Sequence, residues 1–381
     1  MKRICINLDF KYLLFSACLF ASCRTADLGE VPSVNIEYQG ATKASEWFDS
    51  YQVFELKASC TDAVIKTPTR ILFSSGRIYV LDWLGKKVLA FDRQGNFITS
   101  TSKLRGKGHN EYVSVTDATL DEKTGDVYMF CDNPYGLMVL DKDLHLKKFM
   151  KTDYYLSEIA FDGKNLYGLR SSHDGDNLFE LVMADMKKLS DLKTLVTSDK
   201  GIRGLYSFGK RITVNGGGIH ACLPFDNVIY ELGKGKATPR YVIDFGEKTF
   251  VRSSKDMSVR KFDKENESRH WMIQNIACSD SLMMFNTNLS DYFCMDLNTM
   301  KCIAHHGMRN DFLGFSNSQM IPTQGLGGAV VYETRPEELL GYADYARKHP
   351  GKEGYDSRLM EAAKDIKNTG STIIIVWKLR K

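Results

Sequence analysis

The chain lacks paired cysteine spacings, blocks of basic residues, a bilayer-length apolar run and the common catalytic signatures. None of its nine cysteines stands in the close pairs that hold structural zinc, so a zinc-ribbon or zinc-finger architecture is excluded. Lys and Arg total 51 against 47 Asp and Glu, a net charge of +4 that falls to +2 once the first 22 residues, with Lys2, Arg3, Lys11 and Asp9, are set aside. No basic block accompanies that small excess, which argues against nucleic acid as a specific partner. The longest apolar run, Tyr12-Leu-Leu-Phe-Ser-Ala-Cys-Leu-Phe20, is well short of the roughly 20 residues a membrane-spanning helix needs. There is no Gly-x-Ser-x-Gly elbow. Gly-Lys-Ser/Thr is missing too, and no helix follows the one glycine-rich loop, which excludes phosphate-loop and dinucleotide fingerprints. Charged residues at 26% and hydrophobic residues at 43% leave an ordinary globule.

What is present begins at the N-terminus. Lys2, Arg3 and Lys11 precede the apolar run, and Ala21-Ser22-Cys23 follow it. A basic start, an apolar centre and small residues before a break make residues 1–22 a secretory signal peptide. The ending Phe20-Ala-Ser-Cys23 resembles a bacterial lipobox, which makes Cys23 the expected lipidation site and residues 23–50 a lipidated cysteine and tether. Six cysteines lie beyond it: Cys60, Cys131, Cys222, Cys278, Cys294 and Cys302. Most sit inside apolar strand patterns as small buried hydrophobes. Cys294 and Cys302 flank one turn and would face each other across an odd-numbered hairpin loop, a disulfide that an oxidising envelope permits.

The strongest pattern is a repeat. Gly76-Arg-Ile-Tyr-Val-Leu-Asp82 followed by Val88-Leu-Ala-Phe-Asp92 returns as Gly125-Asp-Val-Tyr-Met-Phe-Cys-Asp132 followed by Leu137-Met-Val-Leu-Asp141. Weaker copies start at Gly163, Gly218, Ser281 and Gly328. With Tyr79, Tyr128, Tyr167, His220, Met283 and Val331 as equivalent points, the spacings are 49, 39, 53, 63 and 48 residues. Four-stranded propeller blades repeat at about 40–50 residues, so 63 requires an insertion. A single small sheet cannot bury both faces, and radial stacking supplies the neighbours. The expected fold is all-β: a six-bladed β-propeller over 51–381, with a short helical insertion at about 335–368 before the C-terminal closing strand. The β-prone Ser371-Thr-Ile-Ile-Ile-Val-Trp-Lys-Leu-Arg380 and the alternating Tyr51-Gln-Val-Phe-Glu-Leu56 are expected in one composite blade that closes the ring.

The run Ile78 to Asp92, then Gly95-Asn-Phe97 and Arg105-Gly-Lys-Gly-His-Asn-Glu-Tyr112, resembles the six-bladed β-propeller lipoproteins of Bacteroidetes, a group with an NHL-like repeat. Ile373-Ile-Ile-Val-Trp-Lys-Leu379 is similar to that group's closing strand. The likeness runs from about Tyr51 to the end and is diffuse from residue 165 to 330. It implies architecture and address, since the group's biochemical role is largely undefined. Where the family usually has Pro-Gly before Glu-Tyr, this chain has His109-Asn110.

Candidate ligand residues cluster in loops. The Arg105–Tyr112 segment gathers Arg105, His109, Glu111 and Tyr112, and Gly106 and Gly108 would let the backbone approach a ligand. The alternative is an ordered crossover in which Glu111 binds backbone amides and Tyr112 packs under the next blade. Trp83 offers a stacking platform or an inter-blade wedge. Arg170, His173, Arg203 and His220, near inner-strand ends, would make an anion-attracting funnel. His305 and His306, adjacent in a strand, point to opposite faces and do not chelate one metal together. Six-bladed propellers that hydrolyse lactones or esters hold calcium with side chains from several blades; Asn133, Asn215, Asn275 and Asp117 are this chain's candidates for such a set. Calcium is accordingly the one cofactor considered.

The functional expectation is an envelope-anchored binding or assembly module, an outer-membrane lipoprotein touching the membrane through its anchor only. Its partner would be an envelope protein, a peptide or a glycan, held by a few aromatic and Arg anchors on one face. The alternative is a calcium-dependent hydrolase or lyase at the channel mouth. A third reading is a subunit of a glycan or peptide uptake system. A cluster of three or more carboxylates and amides at one channel end would favour the enzyme; an aromatic and Arg face without one would favour binding.

Overall fold

Short extended segments separated by Gly, Asp and Asn turns make up nearly all of the computed structural model, which describes residues 31–171, 178–198, 202, 209–215, 218–254, 257–289, 291–309, 311, 320–321, 323–350, 364, 366 and 370–380. Pro68–Ser74, Arg77–Asp82, Lys87–Phe91 and Phe97–Ser100 form an antiparallel meander, with Thr323–Gln324 added parallel to its first strand. Its turns are local chemistry. Gly76 takes φ 83 and Gly95 φ 75, and the Asp92 carboxylate accepts the Gln94 and Asn96 amides at 2.9 and 2.8 Å.

The same unit recurs as Ser114–Leu120, Val127–Asp132, Gly136–Leu140 and Leu146–Lys151, then as Glu158–Phe161, Asn165–Ser171, Phe179–Asp185 and Lys193–Ser198. Ile212–Asn215, Gly218–Ala221, Val228–Gly233 and Lys236–Asp244 follow, then Ile273–Cys278, Leu282–Thr287, Tyr292–Asp296 and Cys302–His305. Ser33–Gln39 joins these last two meanders into a nine-stranded sheet by lying parallel to both outer strands, with Ser33 beside Val242 and Ile36 beside Cys302. A closing sheet combines Met320–Ile321, Ala329–Thr334, Thr372–Leu379 and Phe48–Leu56. In it Trp377 pairs with Tyr51, so both ends of the chain meet in one sheet as their patterns indicate.

First strands of successive sheets touch in order: Pro68–Ser74 against Ser114–Leu120, then Glu158–Phe161, Ile212–Asn215, Ile273–Cys278, Ala329–Thr334, and Met320–Ile321 back against Pro68–Ser74. Each neighbouring pair shares an apolar cluster, such as Tyr79 and Val88 with Ala118 and Met129, or Tyr128 and Leu137 with Ile159 and Val182. The result is an all-β, nearly closed, propeller-like ring.

Four further details complete the ring. The folded part does not begin at Tyr51: Ser33–Gln39 is already a strand, with Val34 buried among Ile243 and Phe293, and only residues up to 30 fall outside the described region of that tether. Cys294 and Cys302 are both free. Register sets Cys294 opposite Ile303 and Cys302 opposite Met295, so the two thiols leave opposite faces of the hairpin into different clusters. The insertion behind the 63-residue spacing is Phe245 to Trp271, with helix Val259–Glu265 and an aromatic knot of Phe225, Phe250, Phe262 and Trp271. The expected helical insertion begins as helix Pro336–Lys348, which buries Leu339 and Ala343 while Leu340 and Tyr345 stay exposed. Most of the rest of that insertion, to about residue 368, lies outside the described residues.

Candidate binding face

Strand alternation sorts the loops. Inner-strand starts and the loops between second and third strands gather at one end of the ring; the tight hairpin turns after each first and third strand gather at the other. Trp83 and Leu84 sit at the first end, 53% and 56% exposed. Their loop is organised by Asp82, whose carboxylate accepts the Lys66, Thr67 and Gly85 amides at 3.1, 2.9 and 3.0 Å. Gly85 is required there, because a Cβ would lie 2.0 Å from Asp82 Oδ2. The closing Asp of the repeat thereby turns Trp83 outward.

Arg105 Nη1 donates to the Gly85 carbonyl at 3.3 Å, placing its guanidinium beside that loop, and His109 is exposed on the same crossover. Within the crossover the glycines make room for the chain itself. Glu111 Oε2 accepts the Gly108 amide at 2.6 Å and lies 1.9 Å from where a Gly106 Cβ would stand. Asn110 has φ 62, a left-handed conformation that Asn tolerates, so His-Asn retains the backbone a Pro-Gly pair would give. Tyr112 is fully buried between the first two sheets, its hydroxyl 2.6 Å from Thr101 Oγ1 and donating to the Lys86 carbonyl at 3.2 Å. Burial raises its phenol above the usual range. Glu111 and Tyr112 therefore build the loop rather than face solvent.

Val113 N–H donates to the Asn133 carbonyl at 3.0 Å and ties this crossover to the next loop, where Tyr135 is 39% exposed and packs against Tyr155 at 5.7 Å between centroids. Trp83, Leu84, Arg105, His109, Tyr135 and half-buried Tyr155 thus lie on successive loops at one end of adjoining sheets and make up the Trp83–Tyr155 strip. Sequence reading missed Tyr135 and Tyr155; the Asn133-Pro134 turn beside them was the available signal. Arg170 is paired with Glu180, which also accepts from Thr194. His220 lies 8% exposed in the second strand Gly218–Ala221, opposite Thr213 and Glu231, its Nδ1 3.3 Å from Asn215 Nδ2. Burial lowers its imidazole. His173 and Arg203 lie outside the described residues, as do the signal peptide and Cys23.

The centre of this end is filled by buried ion pairs. Arg70, fully buried, donates from Nε and Nη2 to the two Asp117 oxygens at 2.9 Å each, and from Nη2 to the Ile212 carbonyl at 3.0 Å. Lys210 Nζ stands 3.0 Å from Asp117 Oδ1, and Ile159 N–H donates to Oδ2 at 2.9 Å. Burial alone would raise the Asp117 carboxyl; Arg70 and Lys210 outweigh it and hold the group below the usual aspartate range. Glu158 accepts Arg211 Nε at 2.6 Å and the Arg211 and Ile212 amides at 2.7 and 2.8 Å. These carboxylates bridge sheets and are saturated.

Three of the four residues named for a calcium set already have protein partners. Asp117 has a cationic shell, Asn275 Oδ1 accepts the Lys210 amide, and Asn215 Oδ1 accepts the Cys278 amide. Among the described residues no three His, Cys, Asp or Glu side chains stand together as a metal site, and no helix is long and apolar enough to cross a membrane. His305 is buried with Nδ1 3.2 Å from the Gly40 carbonyl, whereas His306 is exposed and 2.8 Å from Asp291, on opposite faces as their adjacency requires.

An exported protein of Bacteroides fragilis NCTC 9343 has a similar structure, with TM-score 0.68 and 15% identity over 91% of this chain and 99% of that one. Weaker likenesses are to virginiamycin B lyase from Staphylococcus aureus (TM-score 0.42, 10% identity, 74% and 82% covered) and to BamB from Moraxella catarrhalis (0.38, 9%, 75% and 74%). No curated protein matches the sequence. The DUF4934 model, a domain of unknown function, matches residues 30–376, and the chain belongs to that family.

Proposed function

We propose that this chain is a binding or assembly module of the bacterial cell envelope that recognises a protein, peptide or glycan through the Trp83–Tyr155 strip. The observation that carries this reading is a set of exposed aromatic and Arg residues at one end of a closed ring, beside buried ion pairs whose carboxylates are fully engaged. Such a surface offers stacking area and cationic donors with little side-chain entropy to lose. The carboxylates nearest this face, Asp117 and Glu158, are already engaged by Arg70, Lys210 and Arg211, which favours binding over hydrolysis in this reading.

In the same reading the ring has six blades, the nine-stranded sheet being two four-stranded blades bridged by Ser33–Gln39. The chain is exported and held by a lipid on Cys23, a reading supported by its N-terminal pattern and by the exported description of the Bacteroides fragilis protein. Labelling with an alkyne fatty acid tests the anchor: the native chain incorporates it, and equal incorporation by Cys23→Ala would reject it.

Recognition itself is tested by retrieving partners from solubilised native envelopes with the native chain and with Trp83→Ala/Tyr135→Ala. The expected result is a saturable partner whose recovery falls at least tenfold with the double variant while the unfolding midpoint is unchanged. Equal recovery by both would reject the strip as the recognition surface.

A further inference from the structure

The opposite end of the ring holds a feature that this reading leaves unused. Between the Glu158 and Ile212 sheets lies an open groove of about 700 Å3, in the size range of small-molecule sites and rimmed by exposed side chains. Its wall carries five lysines, Lys164, Lys188, Lys193, Lys234 and Lys236, contributed by hairpin turns and outer strands of both sheets. Three carboxylates stand nearby: Asp185 and Asp191 in the wall, and Asp162 beneath the floor, bound to Tyr167 and Asn165. Asp185 is engaged by the Lys187 amide at 2.8 Å, and Asp191 meets Lys188 at 4.0 Å. Lys164, Lys193, Lys234 and Lys236 have no carboxylate partner among the described residues.

The floor is preformed. Lys234 and Gly235 take φ 50 and 75, a tight turn fixed by the Gly235 amide donating to Tyr167 Oη at 2.9 Å. That hydroxyl in turn donates to Asp162 Oδ2 at 2.8 Å, and Asn165 Nδ2 binds the same oxygen at 3.1 Å. Met183 supplies an apolar wall. Like charges gathered in a concave, partly apolar space focus a positive potential that a counter-ion relieves. Lysines act as point charges without the planar fork of Arg, so they select charge number over one anion geometry.

We infer that this groove binds a small ligand bearing two or more anionic groups, an acidic oligosaccharide or an oligophosphate. The site is independent of the Trp83 strip and lies at the other end of the ring.

Calorimetric titration of the full chain at low salt tests this with tripolyphosphate and with trigalacturonate, maltotriose serving as the neutral probe. The expected result is binding of at least one anion, none of maltotriose, and a tenfold or greater loss of affinity in Lys234→Gln/Lys236→Gln. Lys148→Gln/Lys151→Gln removes the same charge from another sheet and should change affinity less than twofold. Binding of one anion alone assigns the source as phosphate or as acidic sugar. Binding of neither, or equal losses in the two double variants, would overturn the site. Unchanged unfolding midpoints exclude misfolding as the cause.

Discussion

At the scale of single residues, the ring depends on charges buried where inner strands begin. Arg70 and Asp117 are 47 positions apart, and only closure of the first two sheets brings them together. Without Arg70, buried Asp117 keeps only Lys210 and the Ile159 amide, and its bidentate partner is lost. Arg70→Met should therefore lower unfolding stability by about 3–5 kcal/mol in urea titrations, and a change below about 1 kcal/mol would show that the pair does not hold the hub. His270 gives a pH signature. It is buried between the rings of Phe245, Phe293 and Tyr38, with Nδ1 2.8 Å from Thr287 Oγ1, Asp291 4.0 Å from Nε2, and Lys248 over Tyr38. Burial pushes its pKa down to about 4, against Asp291, which favours the charged form. With the folded value below the ordinary 6.5, the unfolded chain binds the extra proton between those limits, so stability falls as pH drops from 6.5 towards 4. The loss is on the order of 2–3 kcal/mol at about 1.4 kcal/mol per pH unit. His270→Phe should flatten that slope; an unchanged slope would place the pH dependence elsewhere.

At the scale of elements, turn glycines differ in what they do. Gly76 and Gly95 both have positive φ, but a Cβ on Gly76 meets nothing within 4 Å, whereas one on Gly95 would lie 1.7 Å from the Glu55 carbonyl in the closing sheet. Lys57 N–H donates to the Gly95 carbonyl at 2.9 Å, so this turn docks the first sheet onto the last. Gly76→Ala should cost about 1–2 kcal/mol from backbone strain alone, and Gly95→Ala clearly more; equal costs in thermal unfolding would refute the docking role. The meanders were legible because Gly-apolar-Asp units are local, with turn and strand chemistry inside a dozen residues. The alternation of Ser33-Val-Asn-Ile-Glu-Tyr-Gln39 was equally present but lies ahead of the repeat, and parallel insertion between two distant outer strands has no local signal. The aromatic knot around Phe225, itself at φ 60, was hidden for the same reason: its members come from separate loops.

At the scale of the molecule, closure through Phe48–Leu56 and Thr372–Leu379 makes the scaffold rigid and leaves recognition to its loops. Part of the candidate site was readable. Trp83 and Arg105 were picked out by residue type and do meet at one corner, whereas Glu111 and Tyr112 have the chemistry of ligand groups but serve the fold. Burial decides between those roles, and burial depends on sheets that are remote in sequence. The most direct test of recognition through the Trp83 end is photo-cross-linking in native envelopes, with a benzophenone side chain at Leu84 and, on the opposite end, at the exposed turn residue Asn298. Recognition through that end should give a discrete adduct from position 84 that Trp83→Ala abolishes, and none of matching size from position 298. Matching adducts from both positions, or none from position 84, would contradict it.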